Sequence, residues 1–224
     1  MDILNTVHFY QDVLMPPAAH TAPTPSTATT ARRQAQLDAL IDSAEKRIAA
    51  EGIDSLKARD LAADVGIALG GLYNLVEDME MLYLRVAQRT MIRLDQALTE
   101  AAGSTMVTSE DAVARLEAVA HAYYRFARSN LLLWRALFEM RLKSRPLPEW
   151  NISAQLGLFG HIAAPLKRLM PDADDMAVTV TARTLFSAVH GIVVIALEER
   201  IIAIPSHAVE DQISWLMRAT CKSL

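Results

Sequence analysis

Apolar residues recur in this chain at three- and four-residue spacing, and no segment alternates with period two between turn signals. Leu37, Leu40, Ile41, Ala44 and Ile48 begin the rhythm, and Val113, Leu116, Val119, Ala120 and Tyr123 carry it on. Val209, Ile213, Leu216, Met217 and Thr220 close it. A chain patterned this way folds as an all-α protein, and the segments number about nine helices. The single cysteine, Cys221, excludes an internal disulfide framework and any multi-cysteine metal site, which suits a reducing compartment.

Punctuation divides the chain. Residues 16–30, "PPAAHTAPTPSTATT", are low-complexity Pro/Ala/Thr, so residues 1–31 are expected to be a loosely attached extension. A start at Met15 would remove the apolar stretch before it, to which no function is given. Gly52 stops the first helix. A short helix is predicted from about Ala58 to Val65, with Gly66 in the left-handed position that follows it. Another runs from Leu69 to Leu75, and Asp78 caps a long helix reaching about Ala102. Further on, "NLLLWRALFEMRL" reads as a short helix, and "PEWNISAQLGLFGHIAAPLKRLM" as one broken near Pro165. Pro171 is expected to open a helix to about Arg200, and Pro205-Ser206 the last one.

The N-terminus lacks a basic start followed by an apolar run, so no secretory signal is read. The most apolar stretch, residues 184–197, has 14 uncharged residues where a membrane span needs roughly 20. A soluble, cytoplasmic protein with no membrane partner is expected.

Small Ala62, turn Gly66 and apolar Leu72 have the spacing that lets two short helices cross closely in a helix-turn-helix. Around them stand Glu51-Gly52, Arg59-Asp60-Leu61-Ala62, Gly66-Ile67, then Gly70, Leu72 and Tyr73, with Leu82 in the following helix. Over "LDALIDSAEKRIAAEGIDSLKARDLAADVGIALGGLYNLVEDMEML" the chain resembles the DNA-binding head of TetR-family transcriptional regulators. Trp134 and His190-Gly191 further resemble the subgroup whose body is marked by a Trp and a His-Gly pair. The resemblance implies a DNA-binding domain over residues 32–78 and a ligand-binding and dimerisation domain over 79–224. It implies a regulator, a repressor as most of the family are, that binds a palindromic double-stranded operator as a homodimer and is released by a small effector.

The sequence departs from the family where DNA is met. Ala68 and Leu69 stand where a capping Ser or Thr and a Lys are usual, Gly71 replaces a Thr, Val76 an aromatic, Met79 a Lys, and Lys57 a capping Thr. Residues 31–80 hold six basic residues (Arg32, Arg33, Lys46, Arg47, Lys57, Arg59). Against them stand ten acidic ones (Asp38, Asp42, Glu45, Glu51, Asp54, Asp60, Asp64, Glu77, Asp78, Glu80). That surplus of four acids equals the net charge of the whole chain, −4, whereas a duplex binder gains affinity by neutralising phosphates.

Placement matters more than sum. Arg32 and Arg33 can reach phosphate or the minor groove from the start of helix one, and Lys57 and Arg59 begin helix two, whose dipole also favours anions. Gly70 and Gly71 allow close approach of backbone to DNA. Tyr73 matches a family position whose hydroxyl meets phosphate, and Asn74 can read a base edge. Two readings stay open: a DNA reader with a thin contact set, or a degenerate head that has lost DNA binding and serves a ligand- or partner-binding module.

In the body, His121, Tyr124, Trp134, Phe138, Phe186 and His190 bring polar tips or aromatic faces to apolar helices and are the candidate effector contacts. The last two helices carry more apolar surface than one body covers. Val189, Ile192, Val193, Ile195, Ala196, Ile213, Leu216 and Met217 are therefore candidates for a four-helix dimer interface. Heads about 34–36 Å apart would then meet successive turns of the duplex. The chain shows no phosphate loop, no His-Glu-x-x-His, no Gly-x-Ser-x-Gly and no metal-spaced cluster. Neither an enzyme nor a cofactor or metal is expected.

Overall fold

The computed structural model describes residues 27–103, 108–139, 146–198, 202–222 and 224. Among them lie nine α-helices and no strand: α1 (Thr27–Glu51), α2 (Ala58–Asp64), α3 (Leu69–Leu75), α4 (Met79–Ala102), α5 (Ser109–Ser129), α6 (Leu131–Glu139), α7 (Glu149–Leu169), α8 (Asp175–Leu197) and α9 (Val209–Cys221). Residues 1–35 and 36–224 form two compact units. Of the first, residues 27–35 are described, all in the N-terminal part of α1.

Several boundaries follow from local chemistry. Gly52 and Gly66 adopt φ of 84° and 68°, the left-handed region that a side chain resists, and they end α1 and α2 where the sequence places the stops. The Asp78 carboxylate accepts the Met81 N–H at 2.7 Å and starts α4. Thr108 and Asp111 form a reciprocal capping box at the head of α5.

Three expectations are corrected. α1 begins at Thr27 rather than Arg32, so the last residues of the expected tail are helical. Pro25 is the last proline before that point, and Ala, Thr, Arg and Gln beyond it oppose no helix. α7 runs unbroken through Pro165. A proline there forfeits one backbone bond, but Pro165 and Leu166 are buried, and the Met170 N–H still reaches the Leu166 carbonyl at 2.8 Å. α8 opens at Asp175 rather than Pro171, because the Asp174 carboxylate caps the Ala177 N–H at 2.7 Å. It ends at Leu197, and a 3-10 turn, Ser206–Ala208, precedes α9.

Two hydrophobic clusters organise residues 36–224. One packs Leu40, Ile41, Ala44 and Ile48 of α1 with Leu61, Ala62 and Leu72 of the helix-turn-helix, and continues into Leu82, Tyr83, Leu84, Val86 and Ala87 of α4 and Leu133 and Ala136 of α6. The other joins the lower half of α4 to α5, α7, α8 and α9. α4 therefore belongs to both. α8 is long and apolar enough by length and composition alone to cross a membrane, and it buries Val178, Ala182, Leu185, Val189 and Val193, one face of its length, against its neighbours.

Candidate functional site

The helix-turn-helix is held from behind. Leu61, Ala62 and Leu72 are buried, while α3 turns Tyr73 outward at 45 % exposure beside exposed Asn74. Leu69 is 40 % exposed at the start of the same helix. Arg32 and Arg33 are exposed on α1. Lys57 and Arg59 are exposed at the opening of α2 and have no ion-pair partner among the described residues. A Cβ at Gly70 would meet open space, and one at Gly71 would make ordinary contact with Ile67, so packing demands neither glycine.

The acid surplus of the head is smaller than the sequence suggests. Arg47 donates to Asp64 at 2.7 and 2.9 Å, with Ser43 adding a bond at 2.6 Å, and this pairing holds the Asp64 carboxyl down at about 2. Arg89 of α4 pairs with Asp42 and lies 3.7 Å from Asp38, and Arg93 meets Glu45 at 2.7 Å. Four head acids are thus answered by Arg47, Arg89 and Arg93, the last two of which lie beyond residue 80. Arg59 has no ion-pair partner among the described residues, and Asp64 is taken by Arg47.

Below the head lies a cavity of about 400 Å³. Its wall is built by Tyr83, Leu84, Ala87, Met91, Leu94 and Leu98 of α4, and by Leu116, Val119, Ala120 and Tyr123 of α5. Leu137 and Phe138 of α6 continue it, with Asn151, Gln155, Leu158, Phe159 and Ile162 of α7, then Leu185, Phe186, Val189, Met217 and Leu147. None of these carries a charge. Phe138 and Leu147 remain 47 % and 39 % exposed, which gives the cavity an apolar mouth.

Of the expected effector contacts, Phe138 and Phe186 line this space. His190 stands one layer back, stacked on Phe186 with centroids 5.3 Å apart and 4.4 Å from the ring of Phe138. Trp134, 2 % exposed, donates its indole N–H to the Tyr123 hydroxyl at 3.0 Å, and that hydroxyl lies 2.7 Å from His190 Nδ1. Burial lowers the His190 pKa and pushes the Tyr123 phenol well up, so both groups stay neutral and the phenol O–H donates a hydrogen bond to Nδ1. Tyr124 is buried core outside the cavity lining. His121 also lies outside it, joining α5 to α9 through Nε2, which is 3.0 Å from the Glu210 carbonyl and 2.9 Å from Ser214 Oγ.

The sequence reading missed Asn151 and Gln155, the two carboxamides of the wall. Their four-residue spacing, continued by Phe159, places all three on one face of a helix and was the available signal.

The interface expectation also changes. Val189, Val193, Ile213 and Met217 are at most 5 % exposed inside this chain's own core, because α8 and α9 pack there against α5. Ile195 is 39 % exposed and Ile192, Ala196 and Leu216 are half-buried, while Met176 (58 %), Val180 (54 %) and Trp215 (62 %) stand further out.

Residues 116–220, from α5 to α9, match the family described as the tetracyclin repressor-like C-terminal domain. This part of the chain is a C-terminal domain of the TetR type. No curated protein sequence matches it. Among solved structures, a protein of unknown function from Rhodococcus sp. RHA1 shares the fold with a TM-score of 0.67 at 20 % identity, over 94 % of this chain and 99 % of that one. The TetR-family transcriptional regulator PfmR from Thermus thermophilus aligns with a TM-score of 0.57 at 16 % identity, over 82 % of this chain and 97 % of its own. At those identities the likeness is one of fold alone.

Proposed function

We propose that this chain is a TetR-family regulator, which binds a palindromic double-stranded operator as a homodimer and represses from it until a small, largely apolar effector fills the cavity. The observation that carries the reading is the double duty of Tyr83, Leu84 and Ala87. They are buried in the head's core and line the cavity as well. An occupant touching them acts on the helix that seats the helix-turn-helix. It shifts head orientation to the extent that it binds one orientation better. The Tyr83 hydroxyl also donates to the Ala136 carbonyl, tying α4 to α6 across the same wall.

In this reading residues 32–78 form the DNA-binding domain and 79–224 the effector and dimer domain, in a cytoplasmic protein. Arg32, Arg33, Lys57 and Arg59 meet phosphates, Gly70 and Gly71 let α3 approach the backbone, and Tyr73 and Asn74 read from its exposed face. The partner subunit covers the apolar surface of α8 and α9 around Val180, Ile195 and Trp215.

Capture of genomic fragments by the purified protein, with salt varied over each enriched fragment, tests this. A recovered palindrome whose affinity falls steeply with salt is expected. No enrichment even at low salt would overturn it. The exposed Leu69, where family members carry a basic residue, favours a second reading in which the head has left DNA for a protein partner. Under that reading the same capture yields no DNA.

A further inference from the structure

Within the cavity one polar group is built in and left unspent. Asn151 is 2 % exposed, on the first turn of α7, and its side chain lines the cavity. Gln155 Nε2 donates to Asn151 Oδ1 at 2.7 Å, which occupies the carbonyl end and leaves the amide nitrogen with no protein acceptor among the described residues. Of the other polar groups of the wall, Gln155 is exposed and the two hydroxyls are engaged elsewhere. The Tyr83 hydroxyl is turned to the Ala136 carbonyl, and that of Tyr123 is held between Trp134 and His190. A carboxamide nitrogen held at a cavity wall with no acceptor among the described residues gains a hydrogen bond from an occupant that brings one.

We infer that the effector is an uncharged, mostly apolar molecule whose buried polar tip is a carbonyl oxygen received by the Asn151 amide. This rests on the effector reading of the cavity and narrows its chemistry. A carboxylate or an ammonium finds no counter-charge among the described residues of the wall, and a desolvated ion without one is strongly disfavoured. Size follows from volume. An apolar cavity of roughly 150 Å³ holds benzene, so 400 Å³ admits a molecule of about 15 non-hydrogen atoms. A medium-length ketone, ester or amide has both the size and the tip.

The test is calorimetric titration of the full chain with four matched probes: 2-undecanone, undecane, decanoate and decylammonium. The ketone is expected to bind about tenfold tighter than undecane, the effect of one buried hydrogen bond, and both ions at least tenfold weaker than the ketone. Asn151→Leu should erase the ketone's advantage over undecane while undecane binds as before. Undecane matching the ketone, decanoate exceeding it, or none of the four binding would overturn the inference on the wild-type chain alone, whether or not the variant folds. An advantage that survives Asn151→Leu would overturn it too. Adding operator DNA separates the two readings. Ketone selectivity with no DNA bound at any salt sinks the regulator and leaves the ligand class standing. DNA released by some other molecule, with no ketone selectivity, does the reverse.

Discussion

The hydroxyl of Tyr123 lies 2.7 Å from Nδ1 of His190, and it can keep that bond as donor only while the imidazole is neutral. Trp134 already donates to the same oxygen. Protonating His190 turns Nδ1 into a donor, so the phenol must accept from both nitrogens and its own proton loses its acceptor.

A pH dependence follows. Burial holds His190 below its usual 6.5, so as pH falls below 6.5 the unfolded chain takes up a proton that the native state resists. Stability from this site is complete above 6.5 and is lost as pH drops through the lowered folded value. His190→Asn, whose side-chain oxygen still accepts from Tyr123, should melt with a smaller difference in Tm between pH 7.5 and 5.5 than the wild type. An unchanged difference would show that His190 does not carry this dependence.

The DNA face makes a charge prediction. Arg59 is exposed and has no ion-pair partner among the described residues, so Arg59→Ala should weaken binding alike across sequences and lower the salt slope by about one. Leu69→Lys should do the opposite, raising affinity and steepening the slope by about one, because Leu69 is 40 % exposed at the head of α3. Fragment binding at four salt concentrations reads both. Slopes that do not move would take DNA off this face.

Ala120 lines the cavity from α5 at 7 % exposure. Ala120→Leu extends side-chain volume into empty space, so it should alter stability by less than about 1.5 kcal/mol while abolishing effector binding. DNA affinity without effector should stay within about twofold of wild type, and release by the effector should vanish. Continued release would put the effector elsewhere.

Much of this architecture was legible from the residues. Gly66 could be read as the turn because only a residue without Cβ sits easily at φ 68°, and Asp78 as a cap because its carboxylate has an amide to receive. Pro165 misled because a local rule met a tertiary one. The missing bond counts against helix, but burial of Pro165 and Leu166 keeps α7 whole. In the site, Phe138 and Phe186 were found as aromatics on apolar helices, whereas Asn151 passed as an ordinary polar residue of an amphipathic helix. Its role depends on the walls that α4 and α5 bring to it, and periodicity within one helix does not encode that. Half of the candidate interface residues are buried within their own chain for a related reason. Apolar content shows that a face is buried but not whether its own chain or a partner buries it, and Val193 and Ile213, both 0 % exposed, are covered by their own chain.

The partner face can be tested by charge. Val180 and Trp215 are 54 % and 62 % exposed, large apolar groups that a neighbouring subunit would desolvate. Val180→Glu with Trp215→Glu places unpaired carboxylates in any such contact and should convert a dimer to a monomer in sedimentation velocity, with helical content unchanged. A variant that sediments like the wild type would move the interface off these residues.

Helix α3 itself offers the last test, because its composition sets stability against function. It is seven residues long and contains two glycines, each of which costs a helix about 1 kcal/mol relative to alanine. At Gly70 no atom lies within 4 Å of an added Cβ, so the fold gains nothing from glycine there. Gly70→Ala should therefore stabilise the head by up to about 1 kcal/mol, seen as a higher Tm. If α3 seats its backbone against the duplex, the same methyl intrudes between them and DNA affinity should fall about tenfold or more. A variant that melts higher and binds as well as the wild type would show that DNA does not approach this face of α3.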